Sequence, residues 1–384
     1  MRRVAIIGVG CTKVGEHWRS SLQDLFFEAS MKALDDAQVE SVDAIYVGNM
    51  LSSYLQEQGH LGALMADSIG MPGVHATTVE AACASGGMAV HEGFKAVASG
   101  LADYVLVGGV EKMTDARTPK VLSALMLAED REYVAFSGLT FVGLNALFSR
   151  LYMHRYGVKP EEMAMMAVND HENAATNPYA QYRFPISVES VLESPMVADP
   201  IHLFECCGIG DGAAAAVLCP LEKAKKETDT PIEIAASTTA TGVFSPHERE
   251  DPLSYDATRT ASRKAYSQAG IGPGDLDLVE VHDAFTINGV LSLEALGLAK
   301  RGHGAKFVAE GNIALGGKIP TNTFGGLKGR GHPVGATGVY QIVELVWQLR
   351  GEAGKNQVPD ADVGLAQNIG SVDTTSVIHI LRRG

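Results

Sequence analysis

The sequence predicts an α/β protein made of two duplicated βαβαβ-type halves with a loop domain inserted between them, and three observations carry that prediction. A strand–helix–strand unit opens the chain, a second begins near residue 232, and each continues through a Gly-rich turn into an apolar helix and a further strand. In the first unit Val4–Val9 is a continuous apolar run, Leu22–Ala37 places apolar residues at helical spacing, and Asp43–Gly48 is apolar again. CASGGMAVHEGFKAVASG then supplies turn and helix, and ADYVLVGG the next strand. In the second unit Ile232–Ala236 reads as strand, Ala257–Ala269 as helix and Leu276–Val281 as strand, followed by GHPVGATGVYQIVELVWQLRG and ADVGLAQNIG. The stretch from Glu111 to Lys223, richer in Met, Pro and polar turns, reads as the insertion. Residues 1–110 with 211–230 are expected to form one half, 111–210 the loop domain and 231–384 the other half. Met163, Met165 and Met166 are expected to fill gaps in helix packing, a use to which flexible thioethers are suited.

Composition excludes several classes. With 384 residues, 46% of them hydrophobic, the chain is long enough for two or three globular units with cores of their own. Its 31 Lys+Arg against 45 Asp+Glu give a net charge of −14, and no basic stripe offers itself to nucleic acid or an anionic membrane. Cys11, Cys83, Cys206, Cys207 and Cys219 are odd in number and lack C-x-x-C spacing, so neither a disulfide framework nor a metal site is expected, and a reducing cytoplasm fits best. The opening MRRVAIIGVG begins as a strand rather than a signal segment, and no window reaches ~18 consecutive apolar residues, so a soluble cytoplasmic protein is expected. Gly8-Val9-Gly10 does not continue into a dinucleotide fingerprint: Lys13 stands where the third glycine belongs, and the next strand ends at Asn49 instead of an acid.

Four segments can carry chemistry. Cys83 lies among Ala and Gly where a helix is expected to start, and a helix N-terminus favours thiolate. His332 is fixed between Gly331 and Pro333 at the entrance of the matching late helix. If the halves face each other, the two entrances meet and a Cys–His pair results. His282 ends an apolar strand, where open α/β sheets place ligands. Cys206 and Cys207, adjacent before an alanine-rich strand at Ala213–Leu218, are read as structural or as a pocket wall.

Together these residues resemble the thiolases, and within them the archaeal acetoacetyl-CoA thiolases and the sterol-carrier-protein type. Cys83-Ala84-Ser85 is similar to the family's C-x-S motif, Gly331-His332-Pro333 to its G-H-P motif, and Val107–Met113 and Asp211–Ala215 to two further family segments. Two positions depart from common thiolases. His282-Asp283-Ala284-Phe285 replaces N-E-A-F, with no cysteine at Ala284, and Asn368-Ile369-Gly370 replaces the C-x-G motif that carries their second catalytic thiol.

The resemblance implies a thiolase fold layered α/β/α/β/α, with Cys83 taking an acetyl group from acetyl-CoA and a second acetyl-CoA attacking it to give acetoacetyl-CoA. It implies His332 as the base for the thiol, His282 or His332 as the base for the C–H proton, and the backbone N–H groups of Cys83 and Gly370 as an oxyanion cradle. Ser237 resembles a serine on the pantetheine arm and Ala284 a pocket wall. No permanently bound cofactor is implied, only coenzyme A thioesters as substrates. The implied setting is the mevalonate pathway, with a homodimer or homotetramer in complex with HMG-CoA synthase and a small zinc-ribbon/OB-fold scaffold protein. The alternatives are an acyltransferase of other acyl specificity and a non-catalytic scaffold subunit.

Overall fold

A computed structural model describes residues 2–384. Its centre is one sheet of nine strands in the order β3-β2-β4-β7-β1-β8-β11-β10-β9. The first-half strands are β1 (Val4–Cys11), β2 (Ala44–Gly48), β3 (His75–Val79), β4 (Val105–Glu111) and β7 (Gly212–Pro220). The second-half strands are β8 (Ile232–Thr241), β9 (Leu278–Glu280), β10 (Val363–Gly370) and β11 (Thr375–Arg383), while β5 (Met196–Ala198) and β6 (Ile201–His202) form a separate ribbon within the inserted segment.

The duplication is written in the strand order. From the middle outward the first half runs β1, β7, β4, β2, β3, with two antiparallel and then two parallel pairings. The second runs β8, β11, β10, β9 with the same directions, and a parallel bridge from Val279 to Thr321 stands where a fifth strand would lie. The halves join where Ala5 and Ile6 of β1 pair with Glu233 and Ile232 of β8.

Two helices lie at the heart of the molecule, Ser85–Ser99 and Thr337–Arg350. The second is buried along nearly its whole length, Gln341, Glu344 and Gln348 included, with Glu344 paired to the buried Arg330. Their entrances approach backbone to backbone: a Cβ placed on Gly86 would stand 2.9 Å from the Gly335 carbonyl oxygen, so a side chain there would force the halves apart. Leu22–Ala37 starts at Ser21, whose hydroxyl accepts the Asp24 N–H while the Asp24 carboxylate accepts the Ser21 N–H.

The sequence reading differs from the structure in places. β8 runs on to Thr241 because Ser237, Thr238 and Thr239 keep pairing with β11. β9 stops at Glu280 because the next N–H groups leave the ladder for side chains, Val281 N–H for Asn322 Oδ1 (2.8 Å) and His282 N–H for Gln367 Oε1 (2.8 Å). Of the Met stripe on helix Pro160–Thr176, Met163 and Met166 are buried in core clusters and Met165 packs at the edge of one. Among the described residues no helix is long and apolar enough to cross a membrane.

Candidate active site

Cys83, His282 and His332 come together at the meeting point of the two central helices: the thiol and one nitrogen of each ring lie within 4.8 Å of one another. All three are buried, at 7%, 2% and 4% exposure. Cys83 sits two residues before its helix, on a turn held by Ser85, whose Oγ donates to Ala82 O (2.5 Å) and accepts from Ala81 N–H (3.0 Å). Ala82 takes φ +52, a left-handed conformation that costs a residue with Cβ about 1–3 kcal/mol and projects the next side chain off the turn. On the facing side, a Cβ on Gly370 would lie 2.5 Å from Ala81 O, so the end of β10 is pressed against the nucleophile's turn. The backbone N–H of Ser371 points at the Cys83 sulfur.

Hydrogen bonds give the two histidines opposite tautomers. Thr337 Oγ1 donates to Pro333 O (3.2 Å), so at 2.7 Å from His332 Nδ1 it can only accept. His332 therefore carries its proton on Nδ1 and shows a bare lone pair at Nε2, as a base must. Asn368 is oriented by fixed backbone partners, its Oδ1 accepting Gly87 N–H (3.1 Å) and its Nδ2 donating to Cys83 O (3.1 Å). The same Nδ2 donates to His282 Nδ1 (3.0 Å), so His282 carries its proton on Nε2 and presents a donor. The rings stand edge to face with centroids 4.9 Å apart. Sequence reasoning offered either histidine as the carbon base; the amide of Asn368 makes His282 an N–H donor instead. In the sequence Asn368 marks only the place of an absent thiol; its role rests on contacts with residues more than 80 positions away.

Burial sets the charge state. It pushes the Cys83 thiol far up, with Cys207 and Glu111 adding to the shift, and outweighs the helix-terminus effect expected from the sequence. His282 is held down to about 3 by burial, with Arg330 and Lys328 adding to it, and His332 lies well below its ordinary value for burial and the nearby His282. The resting site is a neutral thiol beside two neutral imidazoles. As a metal-ligating set the three residues would offer one thiol and one nitrogen of each ring.

Three buried carboxylates brace the site. Glu111 accepts from Met50 N–H (3.0 Å), Leu51 N–H (3.2 Å), Asn49 Nδ2 (2.9 Å) and Gly335 N–H (3.0 Å), tying the turn after His332 to the end of β2. Asp211 takes Met113 N–H (2.7 Å), Thr114 N–H (2.9 Å) and the Thr114 hydroxyl (2.6 Å), fixing the start of the inserted segment. Asp283, next to His282, pairs with the fully buried Lys328, which also reaches Asp170 of the inserted segment at 2.7 Å.

Other expected residues fare differently. Ala284 is buried two positions from His282, and its carbonyl accepts Cys207 N–H (2.8 Å), which puts Cys207 beside the wall Ala284 forms. The Cys207 thiol is pushed up to about 12 by burial. Ser237 is buried on β8, with its Oγ 2.8 Å from His91 Nδ1 of the first central helix. Cys83 belongs to an apolar cluster with Met50, Leu51, Met113, Val121 and Val334.

Two family models match the chain, "Thiolase, N-terminal domain" over residues 4–222 and "Thiolase C-terminal domain-like" over residues 239–383. The acetyl-CoA acetyltransferase of Methanothermobacter thermautotrophicus is 48% identical over 385 residues, covering 100% of both chains. The acetyl-CoA acetyltransferase of Methanocaldococcus jannaschii is 43% identical, covering 99% of each. Among solved structures the "Ltp2-ChsH2(DUF35) aldolase" superposes with a TM-score of 0.85 at 28% identity, covering 99% of this chain and 98% of that one.

Proposed function

Since this chain belongs to the thiolase family and is an acyltransferase, we propose that it is an acetyl-CoA C-acetyltransferase that joins two acetyl-CoA molecules into acetoacetyl-CoA through an acetyl group carried on Cys83. The observation that carries this reading is the convergence of the Cys83 thiol with one nitrogen of each of two imidazoles within 4.8 Å, the two rings being hydrogen-bonded as opposite tautomers.

In the first half-reaction the Cys83 proton passes to His332 Nε2 as sulfur attacks the thioester carbonyl carbon. The tetrahedral adduct expels the CoA thiolate, which takes that proton back, leaving acetyl-Cys83, free CoA and a neutral His332. Negative charge on the carbonyl oxygen builds where His282 Nε2–H and the backbone N–H groups of Cys83 and Gly370 are proposed to receive it; one such donor is worth about 2.7–4 kcal/mol of barrier. The apolar lining around Cys83 suits a short acyl group and keeps water from the thioester. Coenzyme A thioesters are then the substrates, with no resident cofactor needed for the chemistry.

The wider reading extends the resemblance. A place in the mevalonate pathway of the cytoplasm is proposed on the likeness to archaeal acetyl-CoA acetyltransferases. A homodimer or homotetramer is supported by β3, an edge strand open to pairing with a second copy. A complex with HMG-CoA synthase and a zinc-ribbon/OB-fold scaffold protein is supported by the two-component name of the solved aldolase neighbour. The inserted segment, exposing Leu127, Tyr133, Phe136 and Leu147, is where a partner would find apolar surface.

The test is intact-protein mass after brief exposure to acetyl-CoA, wild type beside Cys83→Ala. A hydroxylamine-labile acetyl adduct on Cys83, absent from the variant and discharged as acetoacetyl-CoA by more acetyl-CoA, is expected. No adduct, with partners supplied, would favour a scaffold role.

A further inference from the structure

Condensation requires a base for the α-proton of the second acetyl-CoA, and the thiol that common thiolases use is replaced here by Asn368, whose amide also makes His282 a donor. We infer that Glu129, from the inserted segment, takes this proton and returns it to the Cys83 sulfur; the assignment rests on the acyl-enzyme reading above.

Glu129 follows the short helical turn Met126–Ala128 and is only 3% exposed. It approaches the thiol from two sides. Ala128 packs in the same apolar cluster as Cys83. The Ser371 hydroxyl donates to Glu129 Oε1, while the backbone N–H of that same Ser371 points at the Cys83 sulfur. One residue thus spans the carboxylate and the nucleophile. Ser371 is held there at φ +59 in a strained turn, which Asp373 (φ +69) clamps by accepting Ala257 N–H (2.9 Å), Thr258 N–H (3.0 Å) and the Thr258 hydroxyl (2.6 Å).

Among the described residues, the second carboxylate oxygen, Oε2, is buried without a hydrogen-bond partner. Leaving such an atom unpaired is costly, and a catalytic role is one reason a fold retains that cost. Charged and titratable groups around Glu129 are few: the guanidinium of Arg249 and the Ser371 hydroxyl favour the anion, while Asp130 opposes it; Cys83 and Tyr255 are neutral neighbours. Burial dominates and brings the carboxyl to about 7, where a general base exchanges protons most effectively at neutral pH.

The step balances. Glu129 Oε2 takes a proton from the methyl carbon of acetyl-CoA, and the carbanion, its charge spread onto the thioester oxygen, attacks the acetyl carbon on Cys83. One C–C bond forms, the C–S bond to Cys83 breaks, and the departing thiolate receives the proton from Glu129. Acetoacetyl-CoA leaves with Cys83 and Glu129 back in their starting states.

The experiment compares full-length wild type, Glu129→Gln, Glu129→Asp and Ser371→Ala by two readouts: Cys83 acetylation by mass, and condensation together with deuterium uptake into the acetyl-CoA methyl group in D2O. Glu129→Gln is expected to acetylate Cys83 within about threefold of wild type while condensation and deuterium uptake fall by about 100-fold or more. Glu129→Asp should recover part of both. Ser371→Ala removes a donor to the anion, so the pH at which condensation is half-maximal should move upward. Condensation in Glu129→Gln within about tenfold of wild type would overturn the assignment, as would equal losses of acetylation and condensation, which mark a structural role. If Glu129→Gln does not fold, an unmoved pH midpoint in Ser371→Ala overturns it instead. Absence of any adduct on wild-type Cys83 would sink the acyl-enzyme reading itself, an outcome distinct from failure of the Glu129 role alone.

Discussion

Replacing Asn368 by aspartate tests whether one amide sets the chemistry of the site. Asn368 Oδ1 accepts Gly87 N–H, a bond a carboxylate keeps. Its Nδ2, however, donates to both Cys83 O (3.1 Å) and His282 Nδ1 (3.0 Å), and the carboxylate oxygen of Asn368→Asp would confront two acceptors there. His282 can answer by moving its proton to Nδ1, which turns Nε2 into a bare lone pair and removes the donor from the thioester oxygen, a loss of about 10²–10³ in rate. Or it can take a second proton. Opposite charges at the 3.0 Å separation of Nδ2 and Nδ1 attract by about 5 kcal/mol at an effective dielectric of 20, or about 4 pK units, enough to lift His282 from about 3 to near neutrality. The imidazolium keeps an Nε2–H. The variant is therefore expected to lose condensation as the pH rises above about 7, where the wild type, with Glu129 ionised, is most active; below that pH, protonation of Glu129 limits both. Steady-state condensation across pH is the assay, paired with ¹⁵N spectra of histidine-labelled protein, in which the bare Nδ1 signal assigned to His282 should be present in the wild type and absent from the variant. Full condensation by Asn368→Asp at about pH 8 with an unchanged Nδ1 signal would refute the tautomer argument.

Other expectations follow from the same geometry. Thr337→Val removes the acceptor that holds the His332 proton on Nδ1, so stopped-flow acetylation of Cys83 should slow by about tenfold or more while the fold, followed by circular dichroism, persists. The neutral resting thiol predicts iodoacetamide alkylation of Cys83 slower than that of a free cysteine at about pH 7.5, rising only in strong alkali; faster alkylation would contradict the raised thiol. Glu111→Gln sets an amide NH2 against N–H groups that now find a carboxylate, costing about 1–3 kcal/mol in denaturant unfolding and loosening the His332 turn. Lys328→Met leaves Asp170 and Asp283 buried without their cation and should cost about 3–5 kcal/mol by the same assay; Lys328→Met with both aspartates made asparagine should recover much of that.

The fold was legible because its signals are local and repeated: apolar runs of strand length, glycine turns before apolar helices, and the same order of elements twice. Cys83, His332 and His282 were legible because each sits at the end of such an element. What stayed hidden depends on contacts far apart in sequence. The tautomer of His282 is set from Asn368, and that of His332 from Thr337, whose own hydroxyl must first be known to donate to Pro333. The partner of Ser237 was hidden too, because a strand residue's face depends on register, and register turns it toward His91. Glu129 carries no motif and meets Ser371 across 242 positions of sequence.

The thiol shows most plainly how magnitude decides between two sound sequence arguments. A helix N-terminus lowers a thiol's pKa, yet its worth is about 0.3–1 kcal/mol, up to ~2 in favourable partly buried sites, and it fades within a turn. Cys83 lies two residues outside its helix, which starts at Ser85. Burial can shift a group by up to ~3–5 pK units, each worth about 1.36 kcal/mol, so desolvation exceeds the dipole several-fold. The thiolate is therefore absent at rest and forms only as its proton crosses to His332. In a dry pocket with Glu111 and Glu129 among its near carboxyls, a standing thiolate would be costly, whereas a transient thiolate–imidazolium pair carries no net charge. An enzyme built this way protects its nucleophile from stray electrophiles and releases its reactivity only when a thioester carbonyl is in place to accept the electron pair.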